Sequence, residues 1–476
     1  MKTKTIACFC ALFAALSASA DTLYWVDTKT FDSSYDQNSG RYLLDAEKSP
    51  EEGNGNYNWA TGFSVDADGK PTYAYAASVS APTSDTDVVI DYSKNAFEYQ
   101  MAGSIVLLDN QTFSAKSLTI SGCNNNWVMF NLRASSQFTI AEDFAYNQNG
   151  YVRFTTGSLS IGGNVCNNNG NSYNNLMFGA NGSSLTSFSA ENVYLNHDNA
   201  VITFSVGRAA TTYDQARGVV RGAIDFGANA GRVQFAKMAD FEQFLKVGGL
   251  TGTAGTVTTE SAGVNSTLVL TNSADRTFSG VVTNTSDASV NIVMDGSASQ
   301  VLSGDNSFSG YIRMEGGTLL VKTASGASHG ALTLNGGRFG AAGNAAVSSA
   351  EFNGGGFIFA DSDKFLAGAG VDLISIAGEF KKAGADKIAI DFNGLDASGL
   401  VGNTYDLITA GSLSGMSSET DADEYFAAEN LLNALADFSW SGNTLQVTFA
   451  AVPEPAEIAA AVGLAALIFA ARRRRK

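Results

Sequence analysis

From about Ser104 to Val206 the chain alternates short apolar-polar-apolar triplets with turns of Gly and Asn. One triplet recurs as Leu118-Thr119-Ile120, Phe138-Thr139-Ile140, Leu159-Ser160-Ile161 and Val193-Tyr194-Leu195. A second recurs as Val128-Met129-Phe130, Val152-Arg153-Phe154, Met177-Phe178 and Ile202-Thr203-Phe204, and its closing Phe residues are 24, 24 and 26 positions apart. Alternation with period two buries one face of each short strand. Gly122 to Asn126, Asn147 to Gly150 and Gly162 to Asn175 supply the corners, because Gly and Asn tolerate the positive φ that sharp turns need. Two or three short strands in each period of twenty-odd residues are the pattern of a right-handed parallel β-solenoid. An antiparallel sandwich has no reason to keep a near-constant period. The regular placement of the Asn runs between triplets predicts stacked Asn ladders at the corners rather than a prion-like tract.

Other stretches carry other periods. Phe235, Met238, Phe241, Phe244 and Leu245 fall at helical spacing and predict a short helix covering the strands. Asp423 to Ala436 opens on acids that suit a helix N-terminus and predicts another. Between them, Arg276-Thr277-Phe278-Ser279-Gly280 returns thirty residues later as Asn306-Ser307-Phe308-Ser309-Gly310. Lys387 to Ile390, Thr404 to Ile408 and Thr444 to Phe449 read as strands, with a hairpin signal at Ser439 to Thr444. Near the other end, the aromatics Trp25, Tyr57 and Trp59 suit a cap over the open edge of the first strand, a reading favoured over carbohydrate stacking by Trp25 and Trp59. The chain is therefore expected to be all-β with capping ends. An entry and cap region covers 21–95, solenoid repeats 96–260, the second style of repeat 261–370, and C-terminal strands with their cap 371–450.

Composition agrees with many short strands joined by tight turns. Gly numbers 50 against five Pro, and charged residues make up 16%, against about 25% in a typical domain. The formal net charge is −17. Residues 1–20 and 452–476 together hold seven of the 29 basic residues but two of the 46 acidic ones, so the body is more acidic still. That argues against nucleic acid and anionic membrane surfaces as partners. The body holds two Cys, Cys123 and Cys166, each a few residues after a Gly and just before an Asn cluster. A disulfide between them and buried thiols both remain open. With two His, His197 and His329, and no metal-ligand spacing, neither a metal nor a cofactor is expected.

The first twenty residues have the parts of a secretory signal peptide: Lys2 and Lys4, the apolar run Ile6 to Leu16, and the small-residue site Ala18-Ser19-Ala20. Cleavage there places Asp21 first in the mature chain. The tail at 452–476 reads Pro453-Glu454-Pro455, an uncharged apolar run, then Arg472, Arg473, Arg474, Arg475 and Lys476. The fourteen residues Ile458 to Ala471 make a helix of about 21 Å, short against a bilayer core of about 30 Å. A single transmembrane helix at 456–471 only just qualifies, and the five cations would hold its end in the cytoplasm. The box, the apolar helix and the basic end, in that order, resemble the PEP-CTERM sorting signal. The resemblance implies export in a Gram-negative-type bacterium and transient insertion in the inner membrane. It further implies processing near Pro453 by an exosortase-type membrane protease, then residence at the cell surface or in an extracellular exopolysaccharide or biofilm matrix.

The second style of repeat also has a relative. Ser303-Gly304-Asp305-Asn306-Ser307-Phe308-Ser309-Gly310, followed by a strand and by Gly316-Gly317-Thr318-Leu319, closely resembles the autotransporter-associated β-strand repeat. Its motif positions here are Gly304, Asn306, Phe308, Gly310, Gly316, Gly317, Thr318 and Leu319. Leu332 to Gly337 and Phe352 to Phe357 are weaker echoes. The resemblance implies a β-helical surface passenger. Only terminal strands separate these repeats from the sorting tail, so translocation through a barrel of its own is not expected.

No stretch carries recognisable catalytic chemistry. There is no Gly-x-Ser-x-Gly elbow, no His-Glu-x-x-His and no Gly-x-x-x-x-Gly-Lys. Gly53-Asn54-Gly55-Asn56 lacks the strand-turn-helix setting of a dinucleotide loop. The alternative is a β-helical polysaccharide lyase or hydrolase, which would need paired carboxylates. Glu142-Asp143 and Asp421 to Glu424 read more simply as solvated turns. The expectation is a structural or adhesive protein whose Asn, Ser, Thr and Asp sides make multivalent contacts with extracellular polysaccharide or other surface proteins.

Overall fold

The computed structural model describes residues 82–91, 103–107, 110–121, 126–147, 150–170, 175–179, 184–207, 210–236, 241–368 and 371–453, preceded by short strands between residues 22 and 74. The expected signal peptide with Ala18, Ala20 and Asp21 lies outside the described residues, as do Cys123 and the tail from Glu454 through Pro455 to Lys476. Among the described residues regular structure is almost entirely strand. The α-helix there is Ser362–Leu366, and no helix is long and apolar enough to cross a membrane. The chain divides into two compact units, Met1–Gly330 and Ala331–Lys476.

In the first unit the strands form three parallel ladders. The first ladder runs through Gly103–Leu107, the opening halves of Asn126–Ile140 and Gly150–Ile161, then Asn175–Phe178, Val201–Phe204, Arg232–Phe235, Thr256–Thr259 and Val281–Val282. The second takes Thr112–Ala115, the closing halves of those two long strands, Ser187–Ala190, Gly218–Val220, Gln243–Val247, Asn265–Leu270, Ser289–Met294 and Ile312–Met314. The third takes Asp87–Asp91, Ser117–Ser121, Phe144–Tyr146, Val165–Asn167, Val193–Leu195, Ile224–Asp225 and Leu250–Thr251, with Arg276–Phe278, Ser299–Asn306 and Thr318–Thr323 beyond. From Gly103 to Val282 the chain visits first, second and third ladder in that order, turn after turn.

The Phe spacing is the length of a turn. Phe130, Phe154, Phe178 and Phe204 are successive register partners, and each is at most 1% exposed. Their ring centroids stack at 4.6, 5.9 and 5.5 Å. A constant period keeps each ring over the last, and each burial contributes about 1.5–3 kcal/mol.

Several expectations are corrected. The triplet family of Leu118, Phe138, Leu159 and Val193 is two families. Phe138 and Leu159 pair on the second ladder, whereas Leu118 and Val193 lie on the third. All these triplets share one alternation, which fixes the buried face but not the ladder. The helix expected over 235–245 is absent where described: Phe235 closes a strand, and Phe244 and Leu245 belong to Gln243–Val247. Parallel pairing on both sides satisfies that backbone, overriding the chance helical spacing. The helix expected over 423–436 is a single 3-10 turn, Ala422–Glu424, followed by strands Phe426–Leu432 and Ala434–Ser441. The acids do cap it, since Asp421 Oδ1 accepts from Asp423 N–H at 3.1 Å. The thirty-residue echo of Phe278 in Phe308 is not the ladder register either. Phe278 stands beside Leu302, twenty-four residues on.

One defect interrupts the third ladder. Gly252 bridges Phe278, but Leu250 takes its bonds from a side chain of the turn beyond. Gln300 Oε1 accepts from Leu250 N–H at 3.0 Å, and Gln300 Nε2 donates to Leu250 O at 3.1 Å. A fully buried amide thus closes a splay between strands, as unpaired buried backbone would demand.

Antiparallel pairing appears near the ends. Thr22–Trp25 lies parallel to Asp87–Asp91 and antiparallel to Trp59–Ala60, with Trp25 opposite Trp59. In the second unit, parallel ladders carry Leu332–Leu334 to Ala350–Phe352, Arg338–Ala341 through Gly356–Ile358 and Ile388–Asp396 to Phe426–Leu432, and Ala345–Val347 through Ile374–Lys382 to Thr404–Ser414. Thr404–Ser414 then pairs antiparallel with Thr444–Ala451, which forms a hairpin with Ala434–Ser441. The hairpin expected at Ser439 to Thr444 is present, and Gly442, at φ +61°, supplies the positive φ its two-residue loop requires.

Candidate functional site

The repeat-motif residues build successive corners of one turn. Asn306 is fully buried, and its amide makes four hydrogen bonds. Its Oδ1 accepts from Val282 N–H at 2.8 Å, while Nδ2 donates to the carbonyls of Leu302, Gly304 and Lys322 at 3.0, 2.8 and 2.9 Å. An added Cβ at Gly304 would strike the Gly280 carbonyl. Gly317, after Gly316, takes φ +60° so that Thr318 can turn into the next strand with Leu319 buried. Phe308 is buried against His329, centroids 3.9 Å apart. His329 Nδ1 lies 2.8 Å from the Phe308 carbonyl and Nε2 3.1 Å from Thr323 Oγ1. Burial holds the imidazole below its ordinary pKa, opposed by the bond to that carbonyl. These groups are spent on one another, so the motif is architectural.

A second arrangement faces outward. Each strand of the third ladder, from Ser117 to Asn196, has a three-residue centre bracketed by two polar residues, and that centre closes on an apolar residue except at Val165–Asn167, where it closes on buried Asn167. The brackets are Ser117 and Ser121, Asp143 and Asn147, Asn164 and Asn168, and Asn192 and Asn196. Parallel register stacks them into two columns. In one, Asn164 Nδ2 donates to Asp143 Oδ1 at 3.0 Å and Asn192 Nδ2 to Asn164 Oδ1 at 2.9 Å. In the other, Asn168 Nδ2 donates to Asn147 Oδ1 at 2.7 Å and Asn196 Nδ2 to Asn168 Oδ1 at 2.6 Å. Between the columns the outward row is Thr119, Ala145, Cys166 and Tyr194, in direct register. Cys166 is buried in that row, and its disulfide candidate Cys123 lies outside the described residues.

A third cluster covers the outer side of the second ladder. Glu242 Oε1 accepts from Thr267 Oγ1, from Asn291 Nδ2 at 3.1 Å and from Tyr311 OH at 3.3 Å, joining three successive strands. Beside it Lys246, Val269, Val293 and Arg313 share one register row. The short turn Tyr213–Gln215 lies over this row. Tyr213 sits 5.5 Å from the Arg313 guanidinium, and Lys246 Nζ donates to Asp214 O at 3.5 Å. Val269 and Val293 in that row are fully buried although they point away from the core. Arg313 also pairs with Glu315. Desolvation, then the nearby Glu315, raises the Tyr213 phenol above its ordinary pKa, and desolvation does the same at Tyr311. Both phenols are therefore held as proton donors, the wrong state for abstracting a proton from substrate. Glu242 is occupied by its three donors, as a clamp would be. Among the described residues no group of His, Cys, Asp and Glu is placed to hold a metal ion.

Comparison with protein-family models, curated proteins and solved structures returned no match. The structure itself separates the residues expected from sequence. Gly304 and Asn306 lie where Ser299–Asn306 ends, with Phe308 just beyond; Gly310 packs against Val290 ahead of the second-ladder strand; and Gly316, Gly317, Thr318 and Leu319 form the corner that opens Thr318–Thr323. Pro453 is exposed at the last described position. Asp143 joins an amide column, and Asp423 Oδ1 accepts from Phe438 N–H at 3.1 Å. The columns were visible in principle as polar residues on both sides of each triplet. Glu242 and Tyr213 had no local signal, because their partners are 25 to 100 residues away.

Proposed function

We propose that the protein is an exported scaffold of the cell surface or extracellular matrix, structural or adhesive in role. Its body is a right-handed parallel β-solenoid closed by caps. The right hand follows from the strong preference of parallel crossover connections. The observation that carries the reading is the pair of outward polar columns stacked in register beside a stack of buried rings. Successive turns bury one another and repeat the same polar groups along their length. Such a surface suits many weak contacts with hydrated polysaccharide or with other surface proteins.

Export by the signal peptide and sorting through Pro453, Glu454 and Pro455 are part of the proposal, with an exosortase-type protease as transient partner. The β-helical lyase or hydrolase reading is weaker. Its best material is the cluster of Glu242, Tyr311, Arg313 and Glu315, whose groups already satisfy one another. The test is cell fractionation with mass spectrometry of the mature C-terminus. The reading expects a chain ending near Pro453, outside the inner membrane. An intact basic end in the inner membrane would overturn it, as would glycan cleavage abolished by Glu242→Gln.

A further inference from the structure

We propose that the face of the third ladder between the two polar columns is a groove for one extended chain of a neutral polysaccharide. The proposal rests on the scaffold reading and adds the binding face and the class of glycan.

Periodicity comes first. The columns repeat donors and acceptors at the strand spacing of about 4.8 Å, from Ser117 to Asn192 and from Ser121 to Asn196. A single small ligand would use one such set. A polymer that repeats its hydroxyls along an extended chain uses them all, which converts weak contacts into avidity. The two columns flank three-residue strands, so they stand about 13 Å apart at about 3.3 Å per residue. The row between them carries small side chains, with Thr119 and Ala145 half-buried and Cys166 fully buried. Tyr194 is the next residue in that row.

The chemistry of the walls narrows the partner. Asn164 and Asn168 each spend one N–H and one lone pair within the column, and Asn192 spends one N–H on Asn164 and one lone pair on Ala223 N–H. An amide has two of each, so donor and acceptor capacity remains together on one group. Sugar hydroxyls, which also donate and accept, match that pairing. Charge excludes the acidic glycans. Glu142, Asp143, Glu191 and Asp198 are exposed beside the columns. The cation at their start, Lys116, is 3.5 Å from Asp87. A polyanion would meet repulsion with no basic residue in either column to offset it.

The test uses the protein recovered from cells and affinity electrophoresis through gels containing hydroxyethyl cellulose, dextran or alginate. Retardation by a neutral glycan but not by alginate is expected. Ala145→Trp fills the groove without touching either column and should weaken binding at least tenfold. Asn168→Ser combined with Asn196→Ser should do the same, with thermal unfolding as the check on folding. Ser160→Trp, outward on the second ladder, should leave binding unchanged. Neutral-glycan binding that survives both groove variants overturns the proposal, as does preference for alginate or no retardation in any gel. Localisation reads the scaffold proposal separately. A chain that binds neutral glycan yet keeps its basic end in the inner membrane sinks the sorting reading alone.

Discussion

Asn306→Asp changes one group, the amide nitrogen, to oxygen. In the folded protein that nitrogen faces the carbonyls of Leu302, Gly304 and Lys322, while Oδ1 takes the Val282 N–H. The aspartate keeps the Val282 bond and sets its second oxygen against three carbonyl oxygens in a fully buried position. Burial and repulsion both raise its pKa above the ordinary value of about 3.9. A rise of about three units corresponds to about 4 kcal/mol lost at neutral pH. The folded state then holds its proton to higher pH than the unfolded chain, so stability falls as pH rises between about 4 and about 7. At pH 4 the protonated carboxyl regains an O–H donor, and most of the loss disappears. Asn306→Ala behaves differently. It strands the Val282 N–H and costs about 1–3 kcal/mol at any pH, since nothing titrates. Urea unfolding of the first unit at pH 4.0 and 7.5 separates the two. An aspartate penalty equal at both pH values, or smaller than that of alanine at pH 7.5, would refute this account of the corner.

Phe154→Ala removes a ring that touches Phe130, Phe138, Phe144 and Phe178. It should cost about 3–5 kcal/mol in urea unfolding of the first unit, and a loss under 1 kcal/mol would contradict the ring stack. His329 is held neutral, its pKa lowered chiefly by burial. Its contribution is complete above about pH 6.5 and declines as pH falls below that, where the unfolded chain binds the extra proton. His329→Gln should flatten the stability-pH curve between pH 7.5 and 5, and an unchanged slope argues against a buried neutral ring. Glu242→Ala strands three donors and should cost about 2–4 kcal/mol, with faster hydrogen exchange over 265–270 and 289–294. Glu242→Gln, which keeps an acceptor, should recover most of it. Equal losses in the two variants would mean the clamp acts through charge rather than through its hydrogen bonds.

The sequence carried the fold further than the site. The Phe130 to Phe204 spacing was readable because a ring stack tolerates little drift in register. The Asn ladders were readable because amides at equal offsets must meet in parallel strands. What the triplets cannot reveal is which ladder each joins, since Leu118 and Phe138 present the same alternation. Phe244 shows the limit of periodicity. It points outward yet is 4% exposed, so an apolar residue there imitates a core position and suggests a helix. Gln300 and Glu242 were not legible at all. Each is a single polar residue whose partners lie on distant turns, and only the folded register brings them together.

A stack of strands behaves as a one-dimensional crystal, and the splay at Leu250 is its edge dislocation. On the third ladder the spacing between partners is 26 residues on both sides of the splay (Ile224 to Leu250, Gly252 to Phe278), then 24 (Phe278 to Leu302) and 19 (Gln300 to Leu319). Earlier turns of the same ladder change from 26 to 21, 28 and 31 residues with their pairing unbroken, so the loops absorb the difference there. Gln300 heals the splay with one side chain, leaving the strands on either side in register. Segments of unequal turn length can therefore be spliced into one continuous stack, so the chain can lengthen or shorten by unequal duplication without losing its core.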